Sequence, residues 1–480
     1  MAFACGLSLL LTIPRLTDRS VWTDEALTVG AASQLAETIG ATGGTMALYY
    51  AAIAPILAIT TERFWLRLPS ALFVAGAVAV TYMVGRRIGG RSLAVGASLA
   101  LASTWSLARW GLEARGYGLA MVLVSLSWLA TVAAATTTDP HTRRRWLVVL
   151  GVATVFAPLA HGLAALQFPV QVVALLVRPD RREWLRRLTP IAAAWAVVGA
   201  ALLALGAGDV AGWISPLVGD DLLKVFRMLI GRGPFGLVVA ALVVVGTARA
   251  IAQFARAAPW RTSRPEWTSV QERAWLASVA VAWGWGVPLL VLAISLVRPY
   301  QEPRYLVTSL PGIALVLALA LEPLRRWWRI GALAVVMAGL LAMQPAATET
   351  AGEDWPRVVQ LLTAEADPGD GFIIRPLLRA PFDYASEELG HPIALRPLSP
   401  TDPIGPPKRF YGEPVGSVRT QLLESDLPRV WVVVRGPEDR AEMERLRDEG
   451  LIAARWRVAE MFRVRGEISI YRFIRQTEVS

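Results

Sequence analysis

Apolar runs separated by short polar turns recur along residues 1–343. They fall at Phe3–Ile13, Leu66–Val84, Leu93–Ala108, Tyr117–Ala135, Trp146–Ala160, Leu163–Val177, Ile191–Gly206, Phe235–Ala252, Trp275–Val297, Leu306–Leu321 and Ile330–Met343. A helix needs roughly 20 apolar residues to cross a bilayer, and tilt or flanking residues complete the shorter runs. The pattern predicts an all-α polytopic membrane domain of about 11 transmembrane helices over residues 1–343. The first run has no basic residue ahead of it and is short for a crossing, as a shortened or misassigned start would leave it.

Beyond Met343 the pattern changes. Residues 344–480 are rich in Pro, Asp, Glu and Arg, with short apolar runs only. Gly371–Ile374 and Val430–Val434 read as buried strands, and Glu438–Asp448 as a helix with Gly450 just past its end. Trp456–Phe473 alternates like a hairpin around Gly466, and the Pro-rich stretch Arg396–Pro407 reads as an irregular loop. These elements predict a C-terminal α/β domain.

Charge orients the pattern. Arginine bursts at Arg86-Arg87 with Arg91, Arg143–Arg145, Arg181–Arg187, Arg249–Arg273 and Arg325–Arg329 follow alternate runs. Placed in the cytoplasm, they satisfy the positive-inside rule. The loops Arg15–Glu62, Arg109–Gly116, the turn at His161, Asp209–Arg232 and Arg298–Tyr305 then face outward, and an odd number of crossings leaves the α/β domain extracytoplasmic. The net charge of +10 rests almost wholly on arginine, since Lys224 and Lys408 are the only lysines. Its division into topology-like bursts argues against nucleic-acid binding, which wants one basic face. Hydrophobic residues make up 54% and charged ones 18% of the chain, and the mean hydropathy is +0.45; these values suit a membrane protein. A lone Cys5 excludes an internal disulfide, and His141, His161 and His391 are too widely spaced for a recognised zinc motif.

Four places could carry chemistry. Trp22–Leu27 holds the acidic pair Asp24-Glu25, which either begins a helix capped by Thr23 or presents a carboxylate as general base to a hydroxyl acceptor. Gly43–Tyr50 opens a short apolar helix with Tyr49 and Tyr50 at headgroup level. In Glu113-Ala114-Arg115-Gly116-Tyr117 the arginine either snorkels and pairs with Glu113 or grips an anionic headgroup, whose phosphate its rigid donor fork matches. Arg298–Tyr305 offers a second such cation at Arg304, beside Tyr305. His161 reads first as a structural turn histidine and only second as a substrate contact.

The order and spacing of these segments resemble the C-type (GT-C) glycosyltransferases, in particular bacterial membrane proteins similar to protein mannosyltransferases. The resemblance rests on the acidic pair in Trp22–Leu27, the Leu48-Tyr49-Tyr50 helix and Leu66–Leu72 running to the Gly85-Arg86-Arg87 turn. It extends to Glu113–Tyr117, Arg304-Tyr305-Leu306 before Pro311, and more weakly to Asp354-Trp355 and the Asp367–Asp370 turn. It implies an inverting enzyme that moves a sugar, mannose or arabinose, from a polyprenyl-phosphate carrier to an envelope glycan, lipid or protein. Asp24 would be the base, with Glu25 supporting it or helping to place a divalent metal. Arg115 and Arg304 would hold the leaving phosphate, with Glu113, Tyr117, Tyr49, Tyr305 and His161 completing the substrate site. Many relatives carry an acidic residue or histidine just before the Leu-Tyr-Tyr helix, where this chain reads Ala41–Thr45, so the metal stays open. Two rival readings are a transporter or flippase of lipid-linked sugars and an inactive scaffold of envelope assembly. The chain shows no internal repeat of the transporter kind.

Overall fold

The computed structural model describes residues 1–207, 214, 216, 219–258, 267–345, 352–390, 393–401, 417–448 and 455–476. The first half of the chain supplies helices α1 (Ala2–Thr12), α2 (Thr23–Ser33), α3 (Leu35–Ala41), α4 (Ala47–Leu57), α5 (Arg63–Ser103), α6 (Tyr117–Thr136), α7 (Pro140–Ala160), α8 (Gln167–Leu176), α9 (Arg181–Ala204) and α10 (Gly219–Ile230). Helices α11 (Gly233–Ala257), α12 (Ser269–Ser295), α13 (Leu310–Leu321) and α14 (Arg326–Ala342) follow. The C-terminal region adds α15 (Trp355–Glu365), α16 (Pro376–Leu389), α17 (Val418–Glu424) and α18 (Pro437–Asp448), with strands β1 (Gly371–Ile374), β2 (Arg396–Ser399), β3 (Arg429–Arg435), β4 (Trp456–Val464) and β5 (Ile468–Arg475).

These elements form two compact units. A membrane unit comprises Met1–Leu16, Ile39–Ala52 and Arg67–Thr348, and an α/β unit comprises Thr17–Thr38, Ile53–Leu66 and Glu349–Ser480. The cut drawn from composition at residue 343 assigns the loop 15–62 to the membrane domain. In the structure most of that loop, including α2, is grouped with the α/β unit.

Each predicted apolar run falls on a helix. Leu66–Val84 and most of Leu93–Ala108 share α5, which breaks at Gly89 and Gly90, where φ is −146° and +77°. Arg86, Arg87 and Arg91 cluster at this break. The other described bursts likewise sit where one helix hands over to the next: Arg143–Arg145 open α7, Arg181–Arg187 open α9 and Arg325–Arg329 open α14. Six described helical segments are long and apolar enough to cross a membrane: Arg63–Ser103, Tyr117–Thr136, Arg181–Ala204, Gly233–Ala257, Ser269–Ser295 and Pro303–Leu321.

Burial within the membrane unit is the reverse of what water would demand. Only 17% of the apolar window of Arg181–Ala204 is buried, and Val197 and Leu203 are 68% and 69% exposed. In water such a surface would drive association, whereas lipid tails receive it without penalty. The chain is a multi-pass membrane protein. Its central segments are covered by other helices instead, with 83% of the window in Tyr117–Thr136 and 89% in Pro303–Leu321 buried.

Because lipid supplies no hydrophobic drive between helices, polar contacts and close backbone approach bind them. Trp128 Nε1 donates to Gln167 Oε1 at 2.9 Å, and Gln171 Nε2 donates to Ser127 Oγ at 2.6 Å, so α6 and α8 are joined through two glutamines. Trp283 on α12 donates to the Thr308 carbonyl at 2.9 Å and stacks on Trp128, with centroids 5.9 Å apart. Helices α12 and α13 cross at Gly284 and Gly312, where a Cβ on Gly312 would lie 2.3 Å from the Gly284 nitrogen.

The α/β unit carries a mixed five-stranded sheet in the order β2-β1-β3-β5-β4. β1 pairs parallel with β2 and β3, while β5 pairs antiparallel with β3 and β4. The run Val430–Val434 is apolar on both faces because the sheet is covered on both. Trp431 and Val433 pack with Trp355, Val358 and Leu362 of α15 and with Leu378 and Phe382 of α16. Val430, Val432 and Val434 face Leu422 of α17 and Met443 of α18.

The hairpin predicted around Gly466 is β4–β5, and helix Glu438–Asp448 is α18, although Gly450 lies outside the described residues. The predicted loop Arg396–Pro407 needs correction at its start, where Arg396–Ser399 form β2. Pro397, which lacks an N–H, is tolerated because β2 is an edge strand. The rest of that loop from Asp402 onward, and His391, lie outside the described residues. In the Asp367–Asp370 turn, Gly369 takes φ +90° as its backbone reverses, and the Asp370 carboxylate receives the Arg429 Nε at 2.9 Å and the Trp431 indole at 3.0 Å. Burial pushes the Asp370 carboxyl above its ordinary value.

Candidate functional site

The arginine-bearing motifs meet inside the membrane unit. Past α5 the chain makes a π-helical turn at Leu107–Gly111, a form that often marks functional positions. This turn directs Arg109 back onto Glu113, whose Oε1 accepts from Arg109 Nη1 at 2.8 Å with the carboxylate side chain fully buried. The i,i+4 spacing favours Arg109, because residues four apart share a face of a helical turn.

Gly116 then lets α6 start hard against the end of α7. A Cβ there would lie 2.0 Å from the Ala160 carbonyl oxygen, which no side-chain carbon can approach. This contact brings the next residue of each segment together. Tyr117 lies 5.5 Å from His161 between ring centroids, and His161 lies 4.8 Å from Tyr305, edge on. Tyr305 and Arg304 are held by the 3₁₀ turn Pro303–Ser309, which packs against α6.

Arg304 stands 5.8 Å from the centroids of both Trp110 and Tyr305, and Arg109 stands 4.2 Å from Trp110. Arg304 Nε also lies 3.4 Å from Glu302 Oε1. Both Arg115 and Arg304 are close enough to act electrostatically on Tyr117 and His161. His161 is 8% exposed, and its Nδ1 is buried with no hydrogen-bond partner among the described residues. Two guanidinium groups and an imidazole among aromatic rings make a positively charged cluster suited to an anion. Glu113, Arg115, Tyr117, His161, Arg304 and Tyr305 thus lie close together in the membrane unit.

Tyr49 has a different setting. It is wholly buried, its hydroxyl 2.9 Å from Ser70 Oγ, and it joins α4 to α5. Tyr50 is buried too, with its hydroxyl 3.8 Å from Met46 Sδ. The expectation that these tyrosines sit at headgroup level is corrected: α4 forms as predicted, but protein rather than lipid interface surrounds both rings. Arg67, in the neighbouring motif, is likewise buried and donates to the Leu16 carbonyl at 2.7 Å.

The acidic pair lies in the α/β unit on the first turn of α2, a position the helix dipole favours for carboxylates. Asp24 is half-buried and Glu25 fully buried. α2 packs against α16 of the same unit. Thr23 is not the cap expected of it. The N-cap is Trp22, and Thr23 is the first helical residue; its N–H and hydroxyl both donate to Glu353 Oε2, at 2.9 and 2.6 Å. Glu353 is a residue that sequence reasoning passed over, since a bond spanning 330 positions leaves no local signal.

For the divalent metal left open by the sequence, the described residues hold no group of three His, Cys, Asp or Glu side chains able to bind one.

No family model and no curated protein matches this chain. Solved structures do. The crystal structure of ArnT from Cupriavidus metallidurans bound to undecaprenyl phosphate aligns over 98% of this chain and 97% of its own, with a TM-score of 0.61 at 14% identity. Its apo form gives 0.62 at 15% over the same shares. The oligosaccharyltransferase of Archaeoglobus fulgidus in complex with Zn and sulfate aligns over 90% of this chain and 67% of its own, with a TM-score of 0.53 at 12% identity. At such identities the likeness is one of fold, and it runs through both units. The chain has the GT-C glycosyltransferase fold.

Proposed function

We propose that this protein is an inverting glycosyltransferase that takes its sugar from a polyprenyl-phosphate carrier and delivers it to a hydroxyl of a cell-envelope glycan, lipid or protein. The observation carrying this reading is the cationic cluster of Arg115 and Arg304 around Tyr117, His161 and Tyr305. It occurs in a chain whose whole length takes the fold of ArnT, a protein crystallised with undecaprenyl phosphate bound. Mannose or arabinose is the donor sugar we favour.

In this reading the acceptor oxygen attacks the anomeric carbon while its proton passes to the Asp24 carboxylate. The bond from the anomeric carbon to the phosphate oxygen breaks, and the electron pair leaves on that oxygen. Polyprenyl phosphate and an inverted glycoside result. Negative charge grows on the departing phosphate, and Arg115 and Arg304 stabilise it in a low-dielectric setting where preplaced donors need not reorganise. His161 orients the phosphate through its buried Nδ1. Glu25, fully buried beside the base, supports the helix that presents Asp24. The arginine bursts at the handover points between helices support an extracytoplasmic site and α/β unit by the positive-inside rule.

The test is release of polyprenyl phosphate from a panel of labelled polyprenyl-phosphate sugars, with envelope extract as acceptor. Wild type and Asp24→Asn are compared in membranes. Release from one donor that disappears in the variant supports the enzyme and its base. Equal release by both proteins refutes the role of Asp24. Correctly inserted protein that turns over no donor refutes the transferase reading and leaves transport or scaffolding of lipid-linked sugars in its place.

A further inference from the structure

The acidic helix α2 begins without a cap of its own. Its N-cap, Trp22, has no side-chain oxygen, so the first N–H groups of the helix need an acceptor from elsewhere. Glu353 supplies it. Its Oε2 accepts the Thr23 N–H at 2.9 Å and the Thr23 hydroxyl at 2.6 Å. The carboxylate is itself fixed from two further directions. Trp355 Nε1 donates to the same oxygen at 2.6 Å, and Arg435 Nη1 bonds to Oε1. Arg435 also donates to the Thr23 hydroxyl at 3.1 Å, and the Ser20 hydroxyl bonds to the Glu353 carbonyl.

Two partners of Glu353 are rooted in the α/β unit. Trp355 is wholly buried in the core of the α/β unit, and Arg435 ends the central strand β3. Thr23 immediately precedes Asp24. Two bonds to Thr23, one to its backbone and one to its side chain, fix the direction of the helix start as well as its place. A negative carboxylate at the positive end of α2 is also electrostatically favoured.

We propose that Glu353 is a positioning residue for Asp24, a cap supplied from a distant stretch of the same α/β unit that sets where the first turn of α2 presents its carboxylate. The inference rests on the reading of Asp24 as general base. It assigns Glu353 no contact with substrate. Loss of the cap leaves the chain able to bind donor while the base is misplaced, and a misplacement of about 1 Å costs about a hundredfold in rate.

Purified full-length protein in detergent tests this with steady-state release of polyprenyl phosphate and thermal melting. The variants are Glu353→Gln, Glu353→Ala, Thr23→Ala, the double Thr23→Ala/Glu353→Ala, and Asp24→Asn as reference. Glu353→Ala is expected to lower kcat about a hundredfold, with donor KM within about twofold of wild type. Glu353→Gln keeps an acceptor for Thr23 but loses the charge, so about a tenfold loss is expected. Thr23→Ala retains the backbone bond and should lose about three- to tenfold, which gives a reading even if Glu353→Ala fails to fold. The double variant should be no slower than Glu353→Ala, because both changes break the same link.

Variants at Glu353 that melt earlier yet keep full kcat overturn the proposal and leave a merely structural residue. So does a double variant whose losses multiply, or a loss confined to KM. If Asp24→Asn turns over donor like wild type, the base reading fails and this proposal with it. If Asp24→Asn is inactive and every Glu353 variant keeps full kcat, only the positioning role is lost.

Discussion

Replacing Gly116 with alanine asks whether the close approach of α6 and α7 organises the cationic cluster. The added Cβ would stand 2.0 Å from the Ala160 oxygen and 3.1 Å from the Ala160 carbonyl carbon. Carbon and carbonyl oxygen normally approach to about 3.3–3.6 Å, so the two segments must part by about 1.3 Å or more. Both obstructing atoms are backbone, so no rotamer change relieves the clash. Overpacking of this kind costs about 1–3 kcal/mol of stability. The residues next in line on each segment are Tyr117 and His161, whose rings are 5.5 Å apart, and parting the segments pulls His161 off the cluster that holds Arg115 and Arg304. A shift of that size costs about a hundredfold in rate, or about 2.7 kcal/mol of transition-state stabilisation.

The assay is release of polyprenyl phosphate by purified Gly116→Ala, with melting measured on the same sample. The expected result is a lower melting temperature together with a fall in kcat/KM that persists at temperatures where the variant is fully folded. A folded variant with wild-type kcat/KM would falsify the link between this contact and the site. A variant that melts like wild type would show that the segments part freely, and the packing account would fail.

Two further outcomes follow from the same structure. Arg304→Met should weaken release of the charged leaving group by about a hundredfold or more, and Arg304→Lys should restore only part of it because an ammonium lacks the guanidinium fork; full activity of the methionine variant refutes the phosphate role. In the α/β unit, Arg379 and Asp383 form a 2.7 Å ion pair with side chains 0% and 1% exposed, and Arg379 Nη1 donates to the Pro400 carbonyl at 3.3 Å. Arg379→Met alone should cost about 3–5 kcal/mol by breaking a buried ion pair, whereas Arg379→Met with Asp383→Leu should regain most of it; chemical denaturation showing both variants equally unstable would contradict this.

The sequence by itself determined the long apolar helices of the membrane unit, and it marked β1, β3, the β4–β5 hairpin and α18 of the α/β unit. Hydrophobicity over a helix length is a local property, and lipid reads it directly, so Tyr117–Ala135 or Phe235–Ala252 could be marked without knowing any neighbour. Val430–Val434 announced a strand covered on both faces for the same reason. The motifs Glu113–Tyr117 and Arg304-Tyr305 with His161 were legible as candidates, and tertiary structure brought them together. The partners were not legible. Thr23 looked like a cap because threonine caps helices, but a carboxylate far along the chain takes that office. Tyr49 and Tyr50 looked interfacial because tyrosines favour headgroups, but neighbouring elements enclose them. Arg396–Ser399 looked irregular because proline opposes strands, but at a sheet edge the missing N–H has no partner to lose. Each of these turns on which group lies across a contact, and contact between distant residues is decided only when the chain has folded.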